Sequence, residues 1–526
     1  MAAVLLVLIC ASFSITGPSL ADDGTLEVQI LSINDFHGSL TQTSNVSNRP
    51  AGGVAYLASY LLEREASNPL TLMVHAGDMV GGSPPISALF QDEPTLEVLQ
   101  LLGFDVGVPG NHEFDEGVSE LLRLQYGGRH QATGYWPGAS FPLVLANVVS
   151  KDTGDPILPP YVIKTVGGIP IGFIGVVTTE TPTIVMPTGV AGVEFLDPVE
   201  SINRYVPELR AKGVEAIVVL AHEGGIQDSK TGEITGPIRM IAENIDDAVD
   251  VIISGHTHTY LNGEVDGKLV VQAYSKGTAF ADVDLIINRR TGDVTRATGE
   301  IVTVWADEKK PEPRFEQLIA KYAADIKPRI EAVIGTAAGD ITREQTPAGE
   351  SALGNLIADA QRWKAGTQMA FMNPGGIRAD IQQGPVTWGR LYEIQPFGNN
   401  LVTMKMTGEQ IYTLLNQQWQ KQGDQIRTRF LQISGLKYSW DDRRPFGDKV
   451  VEIWLENDEP IDKAATYTVV ANSFLAAGGD NFIVFKEAKD QETGPIDLDA
   501  LVDYIKTLPQ RFKCELSDRV IRLDKQ

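Results

Sequence analysis

Four apolar runs in the first half of the chain each stop just before a metal-type side chain. Residues 26–33 lead to Asp35 and His37, residues 70–74 to Asp78, residues 216–220 to His222, and residues 249–253 to His256 and His258. Short apolar runs of this length read as strands. In a layered α/β sheet, strand ends converge on one edge, so residues far apart in sequence meet in the loops there. Residues 162–163 and 169–177 add a further strand pattern, and the amphipathic stretches 54–65 and 95–102 read as helices between the strands.

All seven histidines lie between His37 and His258, and none follows. Five of them sit in short clusters with Asp, Asn or Gly: Asn34-Asp35-Phe36-His37, Gly110-Asn111-His112-Glu113-Phe114-Asp115, Ala221-His222-Glu223 and Gly255-His256-Thr257-His258. Neutral imidazole nitrogens suit Zn, Mn, Co or Fe, whereas an all-oxygen set suits Mg or Ca. The carboxylate of Gly77-Asp78 is placed to bridge two ions. His75 reads as a core residue or a support for the ligands rather than a ligand, and His130 as a loop residue, while Glu113 and Glu223, directly after candidate ligands, read as groups that orient them.

At 526 residues the chain exceeds one hydrophobic core and points to at least two domains. Residues 1–21 carry no charge and hold an apolar run of ~14 residues, short of the ~20 that span a bilayer. They read as a signal peptide cleaved after Ala21, which predicts a secreted, periplasmic or cell-surface protein without stable membrane insertion. Cleavage leaves one cysteine, Cys514, and hence no intrachain disulfide. The net charge of −24 argues against a nucleic-acid polymer as partner. A small anionic substrate would need local positive charge from metal or arginine. Lys309-Lys310-Pro311-Glu312-Pro313, followed by a charged helical pattern over residues 315–334, reads as a linker. The expected units are residues 22–308, a linker with one helix at 309–335, and 336–526.

The ordered series Asp-x-His, Gly-Asp, Gly-Asn-His-Glu, His and Gly-His-x-His resembles the calcineurin-like metallophosphoesterases. Asn34-Asp35-Phe36-His37-Gly38 and the segment from Gly110 to Asp115 are similar to the branch of secreted 5′-nucleotidases and UDP-sugar hydrolases. So are Asn373-Pro374-Gly375-Gly376-Ile377-Arg378, Gln395-Pro396-Phe397-Gly398-Asn399 and Gly478-Gly479-Asp480 in the second half. That branch often has Gly-His-Ser-Gln where this chain has Gly-His-Thr-His.

The resemblance implies an α/β protein with an N-terminal β-sandwich flanked by helices (αββα), a linker helix and a C-terminal α/β substrate-binding domain. It implies two divalent ions (Zn, Mn, Co or Fe), one held by Asp35, His37, Asp78 and His258 and the other by Asp78, Asn111, His222 and His256. Such a pair polarises a phosphate ester and activates water for in-line attack. His112 would be the catalytic group beside the phosphate, oriented by Asp115. Arg378 and Arg343 would take phosphate oxygens, Phe397 and Phe474 would sandwich the base, Asn399 would touch the base edge and Asp480 the ribose. The expected reaction is hydrolysis of nucleoside 5′-monophosphates, and possible further substrates are nucleoside di- and triphosphates and nucleotide-sugars. The alternatives are a 2′,3′-cyclic-nucleotide phosphodiesterase with 3′-nucleotidase activity, and a nucleotide-binding surface protein with a vestigial catalytic domain.

Overall fold

The structure is a computed structural model that describes residues 24–41, 44–422 and 425–524. The expected signal segment, residues 1–21, lies outside the described residues. Two sheets make the N-terminal domain. The first has the spatial order Val294–Thr303, Ala279–Asn288, Thr25–Ile33, Thr71–His75 and Val106–Gly107. The second runs Tyr260–Val265, Lys268–Ala273, Val251–Ser254, Ala216–His222, Ile169–Val177 and Tyr161–Val166.

Alternation along the buried strands explains why the layers stack. Ala216, Val218 and Leu220 join the core shared with the first sheet, whereas Ile217, Val219 and Ala221 face the helices Pro198–Ala211 and Pro237–Asn244. Helices Val54–Ser67 and Glu93–Leu102 bury Leu57, Leu61, Leu96 and Leu99 in the core of the first sheet. Helix, sheet, sheet and helix layers follow. Thr25–Ile33 pairs in parallel with Thr71–His75, and Ala216–His222 in parallel with Val251–Ser254, so four ligand-bearing loops leave from the same strand ends.

The helix after the first domain differs from the sequence expectation. It spans Pro313–Ile330, and residues 333–337 form the strand Val333–Ala337, paired with Gly384–Thr387. Its charged residues conceal an apolar stripe of Phe315, Leu318, Ile319, Tyr322, Ala323, Ile326 and Ile330 at helical spacing, packed into the N-terminal core. The helix is therefore docked on the metal-site domain along its length.

The C-terminal domain is built on a mixed sheet ordered Gln432–Ser434, Met369–Met372, Thr466–Asn472, Asn400–Thr407 and Lys489–Ile496. Val469 and Ala471 face a core with Ile411 and Leu414 of helix Gly408–Asn416, while Val470 faces the opposite side with Ala358 and Ala500 of helices Ala352–Ala365 and Asp497–Thr507. Among the described residues no helix is long and apolar enough to cross a membrane.

Candidate active site

The N-terminal loops bring seven side chains together as two overlapping clusters. In the first, Asp35 Oδ1 lies 3.3 Å from His258 Nε2, His258 Nε2 lies 3.1 Å from His37 Nε2, and His37 Nε2 lies 3.8 Å from Asp78 Oδ2. In the second, His222 Nε2 is 3.2 Å from both Asp78 Oδ2 and Asn111 Oδ1, and His256 Nδ1 is 2.9 Å from Asn111 Oδ1. Asp78 lies between the two, grouped with His37 and His112 on one side and with His222 and His256 on the other.

The donor set fits a cation. His37 donates its Nδ1–H to the Gly81 carbonyl at 2.9 Å and His222 donates its own to the Ala76 carbonyl at 2.8 Å. Each Nε2 lone pair then faces the other acceptors of its cluster, an arrangement that is stable only with positive charge between them. Donor atoms about 3 Å apart are what ligands at roughly 2.1 Å from one ion require. Burial alone would depress the His222 imidazole, yet Asp78 and Asp35 hold it up at about 10. The donor geometry of each cluster suits a cation.

The backbone is shaped for the same purpose. Asp35, His37, Asp78, His256 and His258 all have positive φ, between 48° and 75°. Non-glycine residues seldom adopt this region, and such strain concentrates where a site requires it. Gly110 is obligatory, because a Cβ there would come within 2.1 Å of Asp78 Oδ1. Glu113 secures the loop by accepting from the backbone N–H groups of Asp78, Met79, Val80 and Gly110 at 2.5 to 3.2 Å. Glu223, buried beside His222, accepts from the Gly224 N–H in the same strand end. His75 packs against Phe104 and Phe141 inside the core, and burial presses its pKa to about 3. His130 lies in a short hairpin away from the clusters.

His112 borders both clusters. Its Nδ1 is 2.7 Å from Asp115 Oδ2, and its backbone N–H donates to Asp78 Oδ1 at 2.8 Å. Burial works to lower its pKa, but Asp115 and Asp78 more than offset this and the net shift is upward.

A cavity of about 1580 Å³ joins this region to the C-terminal domain. One wall holds Asp78, Asn111, His112, His256 and His258; the other holds Arg378, Phe397, Asn399, Phe474 and Asp480. Of the substrate-binding residues expected from sequence, Arg343 is the one the structure keeps out of the cleft wall. Its guanidinium donates to the Ile377 carbonyl at 3.0 Å and borders a smaller side pocket. It still lies near enough to Arg378 for the two charges to repel, which adds to the depression that burial imposes on Arg378.

Sequence reading passed over Asn373, Gln420, Arg429 and Glu180. Asn373 lies inside the Asn-Pro-Gly-Gly-Ile-Arg motif and donates to Asp480 Oδ2 at 3.1 Å. The other three carry no local signal, because their meaning depends on contacts across the chain.

Two family models match in succession: Calcineurin-like phosphoesterase over residues 28–260 and 5′-nucleotidase, C-terminal domain over residues 333–487. The crystal structure of a 5′-nucleotidase precursor from Thermus thermophilus is similar with a TM-score of 0.80 and 32% identity, covering 95% of this chain and 100% of that one. This chain belongs to the 5′-nucleotidase family. As a member of it, the chain is a phosphoester hydrolase of the calcineurin-like, divalent-metal type. Among its relatives, Cell wall protein Lmo0130 of Listeria monocytogenes is 38% identical across 94% of this chain and 69% of its own length. Endonuclease YhcR of Bacillus subtilis is 41% identical across 92% of this chain, which spans only 40% of that protein.

Proposed function

We propose that the chain is an exported 5′-nucleotidase that hydrolyses nucleoside 5′-monophosphates to nucleoside and phosphate. The observation that carries this reading is the shared cleft, in which a cation-demanding wall with His112 faces an arginine and two phenylalanines from the other domain. Asp35, His37, Asp78 and His258 would hold one divalent ion and Asp78, Asn111, His222 and His256 the second. When bound, the ions supply Lewis-acid stabilisation of phosphoryl charge and a nucleophile at neutral pH.

The protein's own groups do the rest. Arg378 orients the phosphate through its planar donor fork. His112, oriented by Asp115, stabilises charge on the phosphoryl oxygens or delivers a proton to the departing 5′-oxygen. Phe397 and Phe474 stack on the base, Asn399 meets its edge, and Asp480 accepts from the ribose hydroxyls. Arg343 acts from behind, tuning Arg378 by its charge. The domain division is proposed to fall after Ile330, with residues 333 onward in the substrate domain.

Export is supported by the apolar, uncharged segment 1–21 and by the name of the Listeria relative, a cell wall protein. A release assay with AMP, UDP-glucose, NAD and 2′,3′-cyclic AMP, each with Mn, Zn, Co and Mg, tests the reading. Phosphate from AMP is the expected outcome. Preference for the cyclic nucleotide would favour the phosphodiesterase alternative, and no turnover with any metal would overturn an active enzyme.

A further inference from the structure

The hairpin formed by Trp419–Gln422 and Gln425–Thr428 leads directly into Arg429, which lines the cleft. Arg429 lies between two carboxylates from different domains. Its Nε is 3.4 Å from Asp480 Oδ1, and its Nη2 is 3.8 Å from Glu180 Oε2. Arg427 reaches that same Glu180 oxygen at 2.8 Å. Glu180 immediately precedes the helix Thr181–Ile184 of the metal-site domain, which packs on the turn Gly479–Asn481 that carries Asp480.

Asp480 needs holding. Its φ of 52° lies in the left-handed region, and its carboxylate is nearly buried. Asn373 donates to one carboxylate oxygen at 3.1 Å, and Gln420 donates to the Asp480 carbonyl at 2.5 Å. Gln420 in turn accepts from Arg429 Nη1 at 2.6 Å. Arg429 thus fixes Asp480 twice, once by charge and once through Gln420. Burial pushes the Asp480 carboxyl up, and Arg429 is the foremost group opposing that shift.

We propose that Arg429 is a positioning residue for ribose recognition, and that its contact with Glu180 ties this recognition to closure of the two domains. The inference rests on the reading of Asp480 as the ribose acceptor. A carboxylate accepts from a vicinal diol only if it is correctly turned, and Arg429 turns it through its ion pair and through Gln420. Glu180 completes the counter-charge for Arg427 and Arg429 only when the metal-site domain is against the hairpin. The ribose acceptor is then fully oriented in the same arrangement that brings His112 to the phosphate.

Steady-state kinetics of the full chain with AMP and 2′-deoxy-AMP test this, using Asp480→Asn, Arg429→Gln, Arg429→Lys, Glu180→Gln and the double variant Arg429→Gln/Asp480→Asn. Arg429→Gln is expected to raise the AMP KM about tenfold, the loss typical of one charge-assisted hydrogen bond, with kcat moving less than KM. Selectivity for AMP over 2′-deoxy-AMP should fall in parallel, and Arg429→Lys should recover part of the loss. The double variant should be no worse than its more damaging parent, because the two residues act as one unit. Glu180→Gln should shift KM in the same direction by less. Additive losses, or an unmoved AMP KM in Arg429→Gln while Asp480→Asn is impaired, overturn the positioning role alone. An unmoved KM in Asp480→Asn overturns the ribose reading and the inference with it. If Arg429→Gln does not fold, unchanged KM values in both Arg429→Lys and Glu180→Gln overturn the inference.

Discussion

The imidazole of His112 and the ring of Phe397 lie almost parallel, 10° apart with centroids separated by 5.9 Å, although they come from different domains. His112 also holds Asp115 and touches Asp78 through its backbone. Both rings line the cleft between the domains. Replacing His112 by Asn should lower kcat by roughly 10²–10⁴-fold. Metal content, measured by mass spectrometry of the purified variant, should be unchanged; loss of both ions would instead make His112 a ligand.

Phe397 and Phe474 should govern nucleotide affinity without governing chemistry. Alanine at both positions is expected to raise KM for AMP by about tenfold or more, from ~1–3 kcal/mol of stacking per ring face. A phosphate ester without a base provides the comparison. An equal loss on that ester would show that the rings support the fold and not the base.

Glu113 should control metal affinity although it is not placed as a ligand. Its carboxylate gathers four backbone N–H groups around Asp78 and Gly110, and its pKa is raised to about 7 by burial and by the Asp78 charge. Glu113→Gln keeps the shape but exchanges one acceptor oxygen for a donor that faces N–H groups. Metal affinity should drop about 10- to 100-fold in a chelator titration. Wild-type affinity in the variant would assign the loop geometry to the backbone alone.

Removing the ions should destabilise the N-terminal domain. Asp35 and Asp78 are buried among imidazole lone pairs, so without cations the cluster must take up protons or repel itself. Chelation is expected to lower Tm by several degrees and re-addition of Mn or Zn to restore it, as ligand linkage requires. A Tm indifferent to chelator would count against resident ions.

Asp497 offers a pH test away from the metal clusters. Burial raises its carboxyl to about 7, and it accepts from Leu498 N–H at 2.8 Å. An unfolded Asp titrates near 3.9. Between those values the folded chain keeps a proton that the unfolded chain has lost, so stability falls as pH rises from about 4 to 7. Asp497→Asn should match wild type near pH 4 and exceed it by a few degrees in Tm at pH 8. Identical Tm profiles for the two proteins would contradict the assignment.

Much of the metal-site domain was legible because its strands are short apolar runs and its ligands stand at their ends. Asp35, His37, Asp78, His222, His256 and His258 meet in the fold as strand-end residues should. The helix expected between the domains is present as Pro313–Ile330, and its apolar stripe from Phe315 to Ile330 packs it on the first domain. Arg343, expected at the phosphate, instead turns its guanidinium to the Ile377 carbonyl, a contact 34 positions away that no local pattern encodes. The link from Arg429 to Glu180 joins residues 249 positions apart. No local pattern encodes such a pair, because only the juxtaposition of two separately cored domains creates it.

That separation of cores has an evolutionary reading. The candidate ligands, His112 and their strained loops all belong to one folding unit, while the rings and arginines proposed to read the rest of the substrate belong to another. Under the proposed reading, substitution of the rings in the second unit would retune which ester is accepted while leaving the first unit's groups in place. A graft of residues 333–524 from a relative with different taste should therefore transplant preference, provided the acidic side chain at position 180 still finds its guanidinium partners.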